Sequence, residues 1–211
     1  MSEKTGTLIT FEGGEGGGKT TQIVRLRDLL SKAGKDVVVL REPGGTTISE
    51  QIREVVLSAK NVGIAYTTEV LLFQAARAQI YREIVLPSLA AGKVVLMDRS
   101  RDSSVVYQGM VRGFGKDMIE KLNEISTKDT YPDITFLLDI SVKVGLQRVE
   151  EAGTANRMEM EGTSFHDKVR AAYLELAQED TRGRWHVIDA SVSREAVESA
   201  VWAVVAQKLG L

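Results

Sequence analysis

Residues Glu12 to Thr21 read EGGEGGGKTT. Between Gly13 and Lys19 every residue is a glycine or the lysine except Glu15. The run follows Thr7–Phe11, TLITF, a short apolar and β-branched segment with the character of a strand. It precedes TTQIVRLRDLLSKAG, where Ile23, Leu26, Leu29 and Leu30 recur at helical spacing and Gly34 supplies a stop. A strand, then Gly13-x-x-x-x-Gly18-Lys19-Thr20, then a helix is the context a phosphate-binding loop requires. Glycines let backbone N–H groups turn toward phosphate oxygens, and the helix N-terminus adds partial positive charge. Lys19 is expected at the β- and γ-phosphates, and the Thr20 hydroxyl on a Mg²⁺ ion. Glu15 does not fit this picture. A carboxylate facing phosphates is repelled, so it is expected to point at a neutral hydroxyl of a second substrate.

The chain has 211 residues, 43% of them hydrophobic, enough for one compact domain with a full core. A formal net charge of −2, with no basic block, argues against a surface that coats nucleic acid. The absence of cysteine excludes disulfides and thiolate metal sites. Two histidines, His166 and His186, are too few for a histidine metal cluster and stay unassigned. The N-terminal residues carry no secretory pattern and the apolar runs are too short to span a bilayer, so a soluble, cytoplasmic protein without membrane attachment is expected.

Strand-like runs recur at Thr7–Phe11, Asp36–Leu40, Lys93–Met97, Ile134–Asp139 and Trp185–Ile188. Helical patterns alternate with them at Thr20–Ala33, Thr47–Ser58, Thr67–Ala91, Lys116–Ser126, Val142–Glu151, Ser164–Thr181 and Arg194–Leu209. This alternation predicts an α/β fold, a parallel five-stranded sheet with helices on both faces, and a ligand site at the carboxyl ends of the strands. The polar, glycine-flanked stretch AGTANRMEMEGT, Ala152–Thr163, is expected to be a mobile lid.

Other chemistry sits at the expected strand ends. Arg41-Glu42-Pro43-Gly44-Gly45-Thr46 makes a tight turn at the sheet edge. Asp98-Arg99-Ser100 follows the apolar VVLM run, where a carboxylate helps to hold Mg²⁺. Arg99 is suited either to clamp a phosphate or to form a solvated ion pair. Phe73 and Arg77, and likewise Ser104 and Gln108, are spaced to share a helix face. An aromatic ring, a guanidinium and an amide suit a planar nucleobase, although Phe73 taken alone equally suits core packing.

Together FEGGEGGGKTT, REPGGT, EVLLFQAARAQ, DRSRDSSVVYQG, YPDITFLLD and NRME resemble the thymidylate kinase family of P-loop nucleoside monophosphate kinases, in order and over nearly the whole chain. The glycine loop is shared by many enzymes; REPGGT and the DR…SSxxYQG segment are far more specific. The resemblance implies transfer of the γ-phosphoryl group of ATP to dTMP, giving dTDP and ADP. It implies ATP on Gly13, Gly14, Glu15, Gly16, Gly17, Gly18, Lys19, Thr20 and Thr21, with Mg²⁺ on Thr20 and Asp98. It implies dTMP among Glu15, Arg41, Glu42, Pro43, Arg53, Phe73, Arg77, Arg99, Ser103, Ser104, Tyr107 and Gln108. In that reading Glu15 meets the sugar 3′-hydroxyl, Phe73 stacks on thymine, Arg77 binds O4, and Ser104 and Gln108 read the N3 side. Arg53 and Arg99 hold the acceptor phosphate, Tyr107 borders the sugar, and the Glu42–Pro43 bond resembles one that is cis in the family. The family also forms homodimers, for which the apolar face of Thr67–Ala91 is available, although that face equally suits core packing.

Two departures stand out. Ser100 replaces the tyrosine or histidine that many relatives carry after the Asp-Arg pair. The loop from Gly13 to Gly18 holds no basic residue, so the resemblance implies a catalytic arginine from a lid at about 148–163. There Glu150 and Glu151 stand where relatives are often basic, leaving Arg148 and Arg157 beside Lys19 and Arg99 as the expected catalytic cations. Purine contacts are expected from the lid and from Asp189–Ser191.

Overall fold

The computed structural model describes residues 5–153 and 156–211. Five parallel strands form one sheet: β1 (Thr7–Glu12), β2 (Val37–Arg41), β3 (Val94–Asp98), β4 (Ile134–Asp139) and β5 (Trp185–Asp189), in spatial order β2-β3-β1-β4-β5. Around it lie α1 (Lys19–Lys32), α2 (Thr47–Leu57), α3 (Tyr66–Ile80), α4 (Leu86–Ala90), α5 (Arg101–Ser104), α6 (Lys116–Thr127), α7 (Val142–Ala152), α8 (Thr163–Gln178) and α9 (Arg194–Leu209). The expected α/β sheet is present.

Four of the five strands run one residue further than their apolar runs, to Glu12, Arg41, Asp98 and Asp189. The extra residues are charged, yet Arg41 still pairs in register with Asp98, and Asp139 with Asp189. Strand pairing therefore carries a row of charges to the carboxyl edge of the sheet.

β1 is central and buried on both faces, as parallel strands between helices must be. Period-two alternation divides its side chains. Ile9 and Phe11 pack with Ile23, Leu26 and Leu30 of α1 and Val197, Val201 and Val205 of α9. Leu8, on the other side, joins Ile80, Tyr81, Val85 and Leu89. Thr10 and Glu12 continue that side; Thr10 Oγ1 meets Thr135 Oγ1 at 3.0 Å. Glu12 thereby enters the protein beneath the phosphate loop instead of pointing to solvent.

The expected helix Thr67–Ala91 is interrupted. Between α3 and α4 lies a π-helical turn, Tyr81–Val85, after which the Leu86 N–H bonds to the Tyr81 carbonyl. Pro87 has no N–H and its ring crowds the carbonyl four residues back, so the preceding turn widens. A second π-helical segment, Val105–Val111, continues α5 and carries Tyr107 and Gln108. Among the described residues, no helix is long and apolar enough to cross a membrane.

Candidate active site

The loop after β1 leads into α1 and wraps the Lys19 ammonium. Lys19 Nζ donates to the carbonyls of Gly14 (2.8 Å) and Gly13 (3.2 Å). Burial, and then the nearby Arg99 charge, lower the Lys19 pKa from its usual value. Gly13 has φ 130° and a Cβ there would lie 2.6 Å from the Leu138 carbonyl, so only glycine fits. A second close approach was not legible in the sequence. A Cβ on Gly16 would lie 2.3 Å from the Gly145 carbonyl, and one on Gly145 would lie 2.3 Å from the Glu15 carbonyl. This pair of glycines seats α7 directly on the loop. Arg148, almost one turn further along α7, donates to the Gly16 carbonyl at 3.0 Å.

Thr20 Oγ1 donates to Asp98 Oδ2 at 2.7 Å across the gap between α1 and β3. A hydroxyl and a carboxylate oxygen side by side at the loop's end fit a hard cation that takes its remaining ligands from phosphates and water. No group of three or more His, Asp or Glu able to hold a metal occurs among the described residues, so an all-protein cage is not what this site offers.

Glu15 turns away from the loop interior, toward Arg99 and Tyr107. Its Oε1 accepts from Arg99 Nη2 at 2.6 Å and from the Tyr107 hydroxyl at 3.1 Å. Burial favours its neutral form, but Arg99, Lys19 and the Tyr107 hydrogen bond outweigh this and hold the carboxyl down at about 2. Arg99 also donates from Nη1 to the Gly13 carbonyl (3.0 Å) and reaches the Tyr173 hydroxyl (3.2 Å). Glu12, three residues before Glu15, behaves oppositely. Burial, and then repulsion from Asp102, raise its pKa to about 7 despite bonds from Ser103 and Tyr173. It accepts from the Ser100 N–H (2.8 Å), Ser103 Oγ (2.6 Å) and the Tyr173 hydroxyl (2.7 Å). Glu12 and Tyr173 thus support Arg99 from beneath. Sequence reasoning missed both; the only available signal was a carboxylate at the end of a buried strand.

The far wall is built by α3, α5 and the Val105–Val111 segment. Arg77 is 1% exposed, and four of its five N–H groups are spent within the protein. Nε donates to Glu42 Oε2 at 2.7 Å, Nη1 to Ser104 Oγ and Asn123 Oδ1, both at 2.9 Å, and Nη2 to the Ser100 carbonyl at 3.0 Å. One N–H on Nη2 remains for a ligand. The Glu42–Pro43 bond that delivers Glu42 to Arg77 is cis. Arg53 Nη1 bonds the Pro43 carbonyl at 2.8 Å, and Arg41 pairs with Glu50 at 2.9 Å. Asn123 and Glu69, both fully buried behind this wall, are supports that the sequence did not reveal.

These walls enclose a cavity of about 800 Å³. Glu15, Gly16, Gly17, Gly18, Lys19, Thr20, Thr21, Arg41, Glu42, Pro43, Arg53, Phe73, Arg77, Asp98, Arg99, Ser103, Ser104, Tyr107, Gln108 and Arg148 line it. Phe73 is half-buried on the cavity surface, one turn from Arg77. Gly13 and Gly14 contribute carbonyls behind the lining. Arg157 stands apart from the expected set. It does not line the cavity and is 6% exposed; its Nη2 donates to the fully buried Glu69 at 2.6 Å and its Nε to the Val56 carbonyl at 2.9 Å. A buried guanidinium needs such partners, and they hold it against α2 and α3. Ala190, Val192 and Arg194 also line the cavity, next to the expected Asp189–Ser191. Residues 154 and 155 of the expected lid lie outside the described residues.

The thymidylate kinase family model matches residues 11–201. A thymidylate kinase of Geotalea uraniireducens is 47% identical over 210 residues, covering 97% of this chain and 98% of that protein. One of Thermomicrobium roseum is 46% identical, covering 95% and 94%. The crystal structure of thymidylate kinase from Ehrlichia chaffeensis superposes with a TM-score of 0.77 at 32% identity, covering 95% of this chain and 98% of that one. With the phosphate loop, the Thr20–Asp98 pair and the Arg77 wall opening on one cavity, the chain belongs to the thymidylate kinase family, phosphotransferases that act on dTMP.

Proposed function

We propose that the cavity binds ATP and dTMP end to end and transfers the γ-phosphoryl group to the dTMP phosphate, giving dTDP and ADP. One observation carries this reading: the phosphate loop and the Phe73–Arg77–Gln108 wall line the same cavity, with the Glu15–Arg99 pair between them. ATP lies along Gly13–Thr21 with its γ-phosphate at Lys19. The dTMP phosphate is held by Arg53 and Arg99, with Arg41 and the Glu42–Pro43 turn behind it. Glu15, ionised, accepts from the sugar 3′-hydroxyl, Tyr107 borders C2′, and Ser103 supports Arg99. Thymine stacks on Phe73, with its O4 at the remaining Arg77 N–H and its N3 edge at Ser104 and Gln108.

An oxygen of the dTMP phosphate, already ionised near neutral pH, attacks the γ-phosphorus in line. The new O–P bond forms as the bond to the β–γ bridging oxygen breaks, and the electron pair leaves on ADP. No general base is required, so catalysis is positioning and charge neutralisation. Lys19 and Arg99 neutralise the transferring group from two sides. Arg148 leaves the Gly16 carbonyl to meet it from a third. Arg157, expected beside Arg148 in this role, instead anchors the lid through Glu69. Thr20 and Asp98 would hold Mg²⁺, whose bound charge offsets that of the β- and γ-phosphates. The chain is read as one catalytic domain with a lid at about 148–163 whose closure excludes water. A cytoplasmic homodimer, with no polymer or membrane partner, completes the reading; Leu71 of α3 and Met118 and Ile125 of α6 are exposed apolar side chains that suit pairing.

The test is ADP release from MgATP with dTMP, dUMP, thymidine, dGMP or no acceptor. Fast release with dTMP alone is expected. Equal release without an acceptor overturns the reading in favour of a simple ATPase.

A further inference from the structure

The Gln108 carboxamide has a donor end and an acceptor end, and reading a base depends on which end faces it. Gln108 is 2% exposed, and its Nε2 donates to Glu69 Oε1 at 2.9 Å. An ionised carboxylate accepts and does not donate, so this contact admits only one orientation of the amide. Oε1 is therefore the end left for the cavity, which Gln108 lines. Glu69 is held in turn. Its other oxygen takes Arg157 Nη2 at 2.6 Å, and Arg112 Nε lies 3.5 Å from Oε1. Arg157 and Arg112 thus both approach this fully buried carboxylate and fix its position.

We propose that Glu69 is a specificity-determining positioning residue: it locks Gln108 with Oε1 toward the pyrimidine edge, so that the pocket takes a base with a protonated N3 and rejects one whose N3 is an acceptor. This rests on the proposed reading in which Gln108 meets the N3 side of the base. Thymine and uracil carry N3–H. Cytosine presents a lone pair there, which would face Oε1 with no shared proton. A buried polar group left unpaired is the stronger half of such discrimination. In Glu69→Gln the neighbour becomes an amide able either to accept from Nε2 or to donate to Oε1. Gln108 is then free to turn over, and the preference weakens.

The experiment measures dissociation constants of dTMP and dCMP by titration calorimetry for the full chain and for Glu69→Gln, Gln108→Leu and Arg157→Met. The expected result is a fall of roughly tenfold or more in the dTMP-over-dCMP preference in Glu69→Gln and in Gln108→Leu. Arg157→Met removes one of the two guanidiniums that hold Glu69 but leaves the Glu69–Gln108 contact in place, so the ratio should fall by less than in Glu69→Gln. Glu69→Gln leaves the Arg157 charge unmatched; if it fails to fold, Glu69→Gln/Arg157→Met removes that charge and is read in its place. An unchanged ratio in the folded Glu69 variant, with a reduced one in Gln108→Leu, overturns the positioning role while the base reading stands. An unchanged ratio in Gln108→Leu overturns the base reading and this inference with it. An equal fall in Arg157→Met would assign the effect to the lid and overturn the inference as well.

Discussion

At the end of the cavity formed by α3, α5 and the Val105–Val111 segment, polar side chains are tied to one another before any ligand arrives. Arg77 has four internal partners, Gln108 is held by Glu69, and Glu15 is held by Arg99 and Tyr107. At the other end, Arg148 is exposed with a single bond to the Gly16 carbonyl, and Arg194 is exposed on the first turn of α9. The first wall has its ordering entropy settled on folding, so a base that fits binds against fixed dipoles. In the proposed reading the second reorganises on each turnover. Rigidity at the acceptor end suits discrimination between similar bases, while looseness at the donor end suits the entry of ATP and the exit of ADP.

That contrast can be broken in several ways. Lys19→Ala removes the ammonium where both halves meet, and kcat should fall on the order of 10³-fold or more. The thermal midpoint should move far less than kcat, because the Lys19 hydrogen bonds go to loop carbonyls; a coupled ADP assay and calorimetry together read both. Arg77→Met strikes the rigid wall. It leaves Glu42 buried without its partner, which should cost about 3–5 kcal/mol in urea unfolding as well as raising the KM for dTMP. Loss of dTMP affinity alone, with stability intact, would mean that the wall is not a folding element.

Glu12 sharpens the comparison through pH. Its folded pKa, about 7, lies above its ordinary value of 4.5. The folded state therefore binds a proton more tightly than the unfolded one. The stability this contributes is complete below about pH 4.5 and is lost as pH rises through about 7. Glu12→Gln abolishes that slope, so the variant should gain on the parent by up to about 3 kcal/mol between these limits, read from unfolding curves across pH. Glu15, held at about 2, has the opposite sign: its contribution is present above 4.5 and is lost as pH falls through about 2. The smallest effect belongs to the loose end. Arg194→Ala should raise the KM for ATP less than about tenfold and leave dTMP discrimination untouched; a large change in the dTMP preference would show the two ends to be coupled.

Much of this site was legible from residue spacing. The strand–loop–helix context of Gly13–Thr20 located the phosphate loop, and the turn Arg41–Thr46 and the end of β3 supplied the sheet-edge charges. The helical spacing of Phe73 and Arg77 put both on one wall. What escaped were the partners. Glu12 meets Tyr173 across 161 residues, Arg157 meets Glu69 across 88, and Gly145 meets the phosphate loop through space alone. Local periodicity carries no information about such distant pairs. The interruption of the long helix near Pro87 was written in the chain as a single residue, but its consequence, a widened turn, depends on how the helix packs.

The sequence by itself determined the order of the elements, the parallel sheet and the identity of the loop, because each follows from short-range rules: period two or 3.6, glycine where a backbone turns inward, charge where a strand ends. Only the tertiary structure decided which charges stay free and which are consumed. Arg148 and Arg157 are nine residues apart and chemically equal. One lies on the cavity rim because α7 rests on the loop through Gly16 and Gly145; the other is drawn inward because Glu69, on a different helix, is fully buried there and needs a partner.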